Sequence, residues 1–141
     1  MVVAKSQEAL VNLQKQIKEK IASREYIAVI HGAPNSEEGQ IVWNIGRDRL
    51  NRLKYKVVEE TSGRYARTYW KLKERLGNYS LMSFKLDTGR THQIRVHCAH
   101  INHPIVGDPL YGRGKKLPCK LEGQALHAIK LCLIHPINGK K

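Results

Sequence analysis

The sequence predicts an α+β domain built on a mixed, mainly antiparallel sheet with few helices. Three observations lead there. Short apolar stretches of strand length outnumber segments with helical spacing. Turn residues separate them, most plainly at Gly77-Asn78 between two strand-like runs. Strands and helices also follow one another in mixed order, not as a regular alternation. A chain of 141 residues is one domain or part of one, long enough to bury a core.

In order along the chain, MVVAK reads as the end of a strand. Ser6 then caps a helix over roughly residues 7–22. Leu10, Leu13, Ile17 and Ile21 form its apolar stripe, with Lys15, Lys18 and Lys20 off it. REYIAVIHG is a strand. Its two faces, Ile27 and Val29 against Tyr26, Ala28 and Ile30, are both apolar, which predicts a central place in the sheet. APNSEEGQ is a loop. IVWNIGRDRLNRLK has no clean period and reads as a strand end followed by a basic loop. ARTYWKLKERL and YSLMSFKLD form an antiparallel pair, with Met82, Phe84 and Leu86 on one face of the second strand. Thr91 is the expected N-cap of a short helix running to about Ile101, with Ile94, Cys98 and Ile101 as its stripe. HPIVGDPLYGRGKKLPCKLEG is loop, and ALHAIKLCLIHP is a final strand.

Charge narrows the function. Twenty-five Lys and Arg against twelve Asp and Glu give +13 at pH 7, a balance that favours a polyanionic partner. No basic helix is backed by a bulky apolar face, and no apolar run approaches a membrane span, so no membrane partner is expected. Cys98, Cys119 and Cys132 stand singly, which argues for a reducing, cytoplasmic setting without a disulfide framework.

The densest chemistry lies in LDTGRTHQIRVHCAHINHPIVGDPLYG, residues 86–112. His92, His97, His100 and His103 cluster there, but acids are few and no three ligands converge, so no metal is expected. Arg90 follows a Thr-Gly turn and Arg95 sits within a half-apolar helix. Each could be a surface arginine with its stem over apolar neighbours. Each could equally be an anion or carboxylate partner. Tyr26, from its residues alone, could be a core tyrosine with a satisfied hydroxyl. Asp108 and His127 read as structural hydrogen bonders.

TGRTHQIRVHCAHINHPIVGDPLYG resembles the signature of the RluA-type RNA pseudouridine synthases. VVAK before a helix, REYIAVIHG, IGRDRLNR, the TYW strand and ALHAIKLCLIHP agree with that family in order, so the resemblance spans essentially the whole chain. It implies a pseudouridine synthase-like fold and isomerisation of a uridine within structured RNA, ribosomal RNA above all, with no cofactor. In such enzymes the glycosidic C–N bond breaks, the base turns, and it rejoins through carbon. The target must first leave its stack. The resemblance further implies that Tyr26 stacks beside the base, that Arg95 pairs with a nucleophilic aspartate, and that Leu126 lines the pocket. Arg47, Arg49, Arg90, His92 and Gln93 are expected to contact RNA.

One departure matters as much as the match. The family's nucleophile belongs to a His-Arg-Leu-Asp motif, and this sequence contains none. Its three aspartates, Asp48, Asp87 and Asp108, lie elsewhere. Residues 1–141 are therefore expected to be a partial catalytic domain, clipped at both ends and inactive alone. A shortened chain, a misplaced start or a decayed copy would each give that pattern. Two alternatives stand beside this reading: a non-catalytic, basic RNA-binding module, and a small ribosome-associated structural protein. Arg95, lacking the family's carboxylate, is expected to be hydrated, anion-bound or swung toward solvent.

Overall fold

The computed structural model describes residues 2–19 and 21–140. Its elements are α1 (Gln7–Lys18), β1 (Ser23–His31), β2 (Glu38–Val42), β3 (Asn44–Arg47), β4 (Tyr55–Val58), β5 (Arg67–Leu76), β6 (Tyr79–Leu86), α2 (Gln93–His100) and β7 (Leu126–Cys132). Five strands form one sheet in the order β2-β5-β6-β1-β7, every pairing antiparallel. β1 is flanked on both sides, as its two apolar faces require. β3 and β4 make a separate two-stranded hairpin.

The alternation of β1 and β6 sets the core. Ala28 and Ile30 of β1 and Met82 and Phe84 of β6 point to one face, where Ile94 and Cys98 of α2 and Ile105 close over them. Partners across the ladder, Tyr26 with Phe84 and Ala28 with Met82, share that face. Gly77 takes φ 64° in the tight turn joining β5 to β6, a conformation glycine adopts without strain.

The structure corrects several sequence expectations. Val2–Lys5 form no strand among the described residues, and Met1 lies outside them. Ser6 does cap α1, its Oγ accepting from Ala9 N at 3.2 Å, but the helix ends at Lys18. Lys20, within the expected helical range, lies outside the described residues. Of the expected stripe only Leu13 is buried; Leu10, Ile17 and Ile21 stay exposed. A polar anchor contributes to docking α1. The Gln16 side chain donates to Ile134 O at 2.6 Å and accepts from Ile134 N at 2.8 Å. The basic loop contains a hairpin, β3–β4, whose apolar residues Ile45 and Val57 pack against Ala66 and Val96.

Thr91 does not cap α2. His92 is the N-cap, in the left-handed region at φ 55°, and makes no side-chain cap bond. The turn before the helix is held by Gln93 instead, whose Oε1 accepts from Arg90 N at 2.9 Å and from Thr88 Oγ1 at 2.8 Å.

Candidate active site

β1 and β7 place Tyr26 and Leu126 together. Tyr26 lies opposite Ala128, and Ala28 opposite Leu126, so Tyr26 and Leu126 are diagonal neighbours on one face. Both pack against the core cluster that contains Ile94. A register shift between Glu25 and Tyr26 interrupts the β1–β7 ladder at that point. Tyr26 is half-buried, and its hydroxyl has no hydrogen-bond partner among the described residues. A phenol with an apolar body in the core and a free tip is suited to stacking on a planar base.

Arg95 follows Ile94 on α2, so it leaves the helix about 100° round from the core contact. Its guanidinium is turned to Asp108. Nε donates to Oδ2 at 2.7 Å and Nη2 to Oδ1 at 2.8 Å, a bidentate pair with the Asp108 side chain fully buried and that of Arg95 one-tenth exposed. The expectation of an unpaired Arg95 is therefore overturned. The physical reason is the cost that motivated it: a buried cation needs an anion, and Asp108 of the Gly107-Asp108-Pro109 turn provides one. Asp108 is itself fixed, Oδ1 also accepting from the backbone N–H of Leu110 at 2.9 Å and Tyr111 at 3.0 Å. Burial pushes the Asp108 pKa up. The Arg95 hydrogen bonds, the two amides and the Arg95 charge outweigh it and hold the carboxyl below its ordinary range. Arg95 Nη1 has no hydrogen-bond partner among the described residues.

Tyr111 ties this pair to the small hairpin. Its ring lies under the Arg95 guanidinium, 5.1 Å from centroid to Cζ. Its hydroxyl accepts from Tyr55 N at 2.8 Å and meets His92 Nδ1 at 3.0 Å. Burial, and next the Arg95 charge, lower the His92 pKa, which favours the neutral imidazole.

A second buried network supports α2 from below. Gln93 Nε2 donates to Arg67 O at 2.9 Å and to Thr68 Oγ1 at 3.0 Å. Thr68 Oγ1 and His97 Nδ1 lie 2.9 Å apart, and His97 Nε2 is 3.3 Å from Trp43 O. A carbonyl only accepts, so Nε2 carries the proton and bare Nδ1 accepts from the threonine. Burial, despite the Trp43 bond, lowers the His97 pKa to about 4.

The RNA-facing expectations divide. Arg47 and Arg49 are exposed, while Arg90 is half-buried, its Nε donating to Tyr65 O at 2.9 Å. Arg47 and Arg90 line a groove shared with Arg64 and Thr91, and Arg49 lines the adjoining one with Arg47. Gln93 is buried with its amide spent inside the chain, so the geometry gives it a structural role instead of an RNA-facing one. His92 is partly buried and engaged with Tyr111. Asp108 and Tyr111 are the site residues that the sequence reading missed. Their signal was present: Arg95 in a half-apolar helix demands an acid, and GDPLYG supplies one three residues before a tyrosine. Among the described residues no group of His, Cys, Asp and Glu could hold a metal ion, and no helix is long and apolar enough to cross a membrane.

Comparison with known proteins bears on this arrangement. Residues 1–100 match a family model described as RNA pseudouridylate synthase. An RNA pseudouridine synthase of Synechocystis is 49% identical over 141 residues, 99% of this chain and 43% of that protein. The ribosomal large subunit pseudouridine synthase D of Zymomonas mobilis is 40% identical over 147 residues, all of this chain and 46% of that one. The structure of human RNA pseudouridylate synthase domain containing 1 superposes with a TM-score of 0.81 at 27% identity, covering 92% of this chain and 56% of its own. The chain thus spans less than half the length of these two curated relatives. With the antiparallel sheet, the Tyr26–Leu126 patch and the helix carrying Arg95 in place, the chain belongs to the RNA pseudouridylate synthase family.

Proposed function

We propose that this chain supplies most of a uridine-isomerising site for structured RNA, ribosomal RNA in particular, and that the nucleophilic carboxylate is not among its residues. The observation that carries this is the state of Arg95. Asp108 holds two of its nitrogens and Tyr111 lies against its face, while Nη1 has no partner among the described residues. A guanidinium has five N–H donors, so three remain for a second carboxylate. Asp108 itself is no nucleophile: its side chain is fully buried, and both oxygens accept hydrogen bonds.

On this reading each residue has a stated task. Arg95 keeps the incoming aspartate ionised in a pocket that would otherwise favour its neutral form. The carboxylate attacks C1′ of the sugar as the C–N bond breaks and uracil leaves; C5 of the turned base then bonds to C1′, displacing the carboxylate, and the C5 proton is lost. Tyr26 stacks on the freed uracil through its ring and offers its unpartnered hydroxyl for proton transfer at the carbon that rejoins the sugar. Leu126 forms the apolar wall that keeps water from the cleft. Exposed Arg47 and Arg49, with half-buried Arg90 beside them, hold the phosphates. The domain reading, a partial catalytic domain over residues 1–141, follows from the same assignment.

Release of tritium from RNA labelled at uridine C5 tests it. The 141-residue chain should release none. The same chain joined to a segment bearing the family's His-Arg-Leu-Asp motif should release it, and that chimera carrying Tyr26→Phe should lose at least 100-fold, the usual worth of a positioned proton-transfer group. RNA binding by both chains with turnover by neither would favour the non-catalytic module.

A further inference from the structure

Beyond Arg49, the tip of the β3–β4 hairpin carries residues that the catalytic reading does not use. Leu50 is 97% exposed and Leu53 is 73% exposed. Single exposed leucines are ordinary, but these alternate with Arg49 and Arg52, also exposed, in one short loop. The loop is also held in shape. Asp48 Oδ1 accepts from Leu50 N at 2.8 Å and Asn51 Oδ1 from Leu53 N at 3.0 Å, two side-chain turns in tandem. Asp48 N donates to Lys54 O at 3.0 Å and closes the base. The one acid of the loop thus uses an oxygen on its own backbone, and the outward charge is positive.

The mounting ties this tip to the site. Tyr55, at the start of β4, is bonded through its N–H to the Tyr111 hydroxyl, and the Tyr111 ring stacks on Arg95. From Arg47 at the end of β3 to Leu50 is three residues, a reach of at most about 10 Å. That equals about three base steps along a nucleic-acid strand.

We propose that this tip is a wedge: Leu50 enters the base stack of an RNA helix beside the target uridine, while Arg49 and Arg52 hold the flanking phosphates. Apolar side chains pushed between bases unstack them, and a base must leave its stack to be modified. A rigid tip suits this because the leucine is presented without an ordering cost on binding. The inference rests on the RNA reading above, and charge complementarity selects RNA over a protein partner.

The experiment uses the 141-residue chain. Its ligand is an RNA stem-loop with 2-aminopurine beside a stem uridine, titrated at several salt concentrations. The wild-type chain should raise the 2-aminopurine fluorescence as the base unstacks. Leu50→Ala should abolish that rise and weaken stem-loop binding about tenfold or more, the worth of one buried leucine side chain. It should leave the slope of log K against log salt unchanged. Leu50→Met should retain the rise. The double variant R49A/R52A should flatten the salt slope by about one to two. A Leu50→Ala chain that binds and unstacks like the wild type overturns the wedge, whatever the arginines do. A wild-type chain that binds no RNA overturns the wedge and the RNA reading together. Loss of binding to anionic lipid vesicles in Leu50→Ala, with RNA binding intact, would overturn it in favour of a membrane surface.

Discussion

At the scale of residues, Arg95 and Asp108 depend on each other. Neither charge could stay in that interior alone, since desolvation of one buried ion costs several kcal/mol. Asp108→Asn keeps the shape and removes the charge, so it leaves Arg95 without its anion. A loss of about 3–5 kcal/mol in unfolding free energy is expected, measured by denaturant titration, with part of it restored in R95M/D108N. The pH dependence has a definite sign. The folded Asp108 pKa lies below the unfolded value, so its contribution is complete above about pH 4 and fades as pH falls through the lowered folded value. The acid limb of stability should therefore be shallower in Asp108→Asn. This pairing was only half legible in the sequence. The need for an anion followed from Arg95 in its helix, but which acid answers it depends on how the turn at Gly107 folds back onto α2, a tertiary fact.

At the scale of elements, β5, β6 and β7 were legible because their apolar residues alternate and Gly77 marks a turn, and β1 because its apolar run covers both faces. The β3–β4 hairpin was not. Its inward residues, Ile45 and Val57, are few, and the arginines between them mask the period. The start of α2 was misplaced because no side chain caps it: Gln93 reaches backward to hold the preceding turn, and Thr91 makes no forward cap. Two predictions belong here. Tyr111→Phe removes the acceptor of Tyr55 N–H, so amide exchange at Tyr55 should quicken and stability fall by about 1 kcal/mol. His97 is held neutral with a pKa of about 4, well below the ordinary histidine value of about 6.5. Between those values the unfolded chain binds the extra proton, so stability should decline as pH falls from about 6.5 to about 4. The loss should reach about 3 kcal/mol, and His97→Gln should flatten that stretch of the profile.

At the scale of the whole molecule, charge and sheet act together. The net +13 was legible from composition, and it predicts an RNA affinity that falls steeply as salt rises; an affinity indifferent to salt would count against an RNA partner. The sheet's contribution is placement: β1 and β7 bring Tyr26 and Leu126, far apart in sequence, onto one face against α2. The family resemblance pointed to those residues, and the fold supplies the reason they meet. Arg95 is itself fixed by residues of this chain, Asp108 and the Tyr111 ring. The most direct test is tritium release from uridine-labelled RNA, comparing the chain alone with the chain joined to a segment bearing the His-Arg-Leu-Asp motif that the resemblance implies. No release by the first and steady release by the second is the predicted result. Turnover by the chain alone, or none by the chimera, would contradict it.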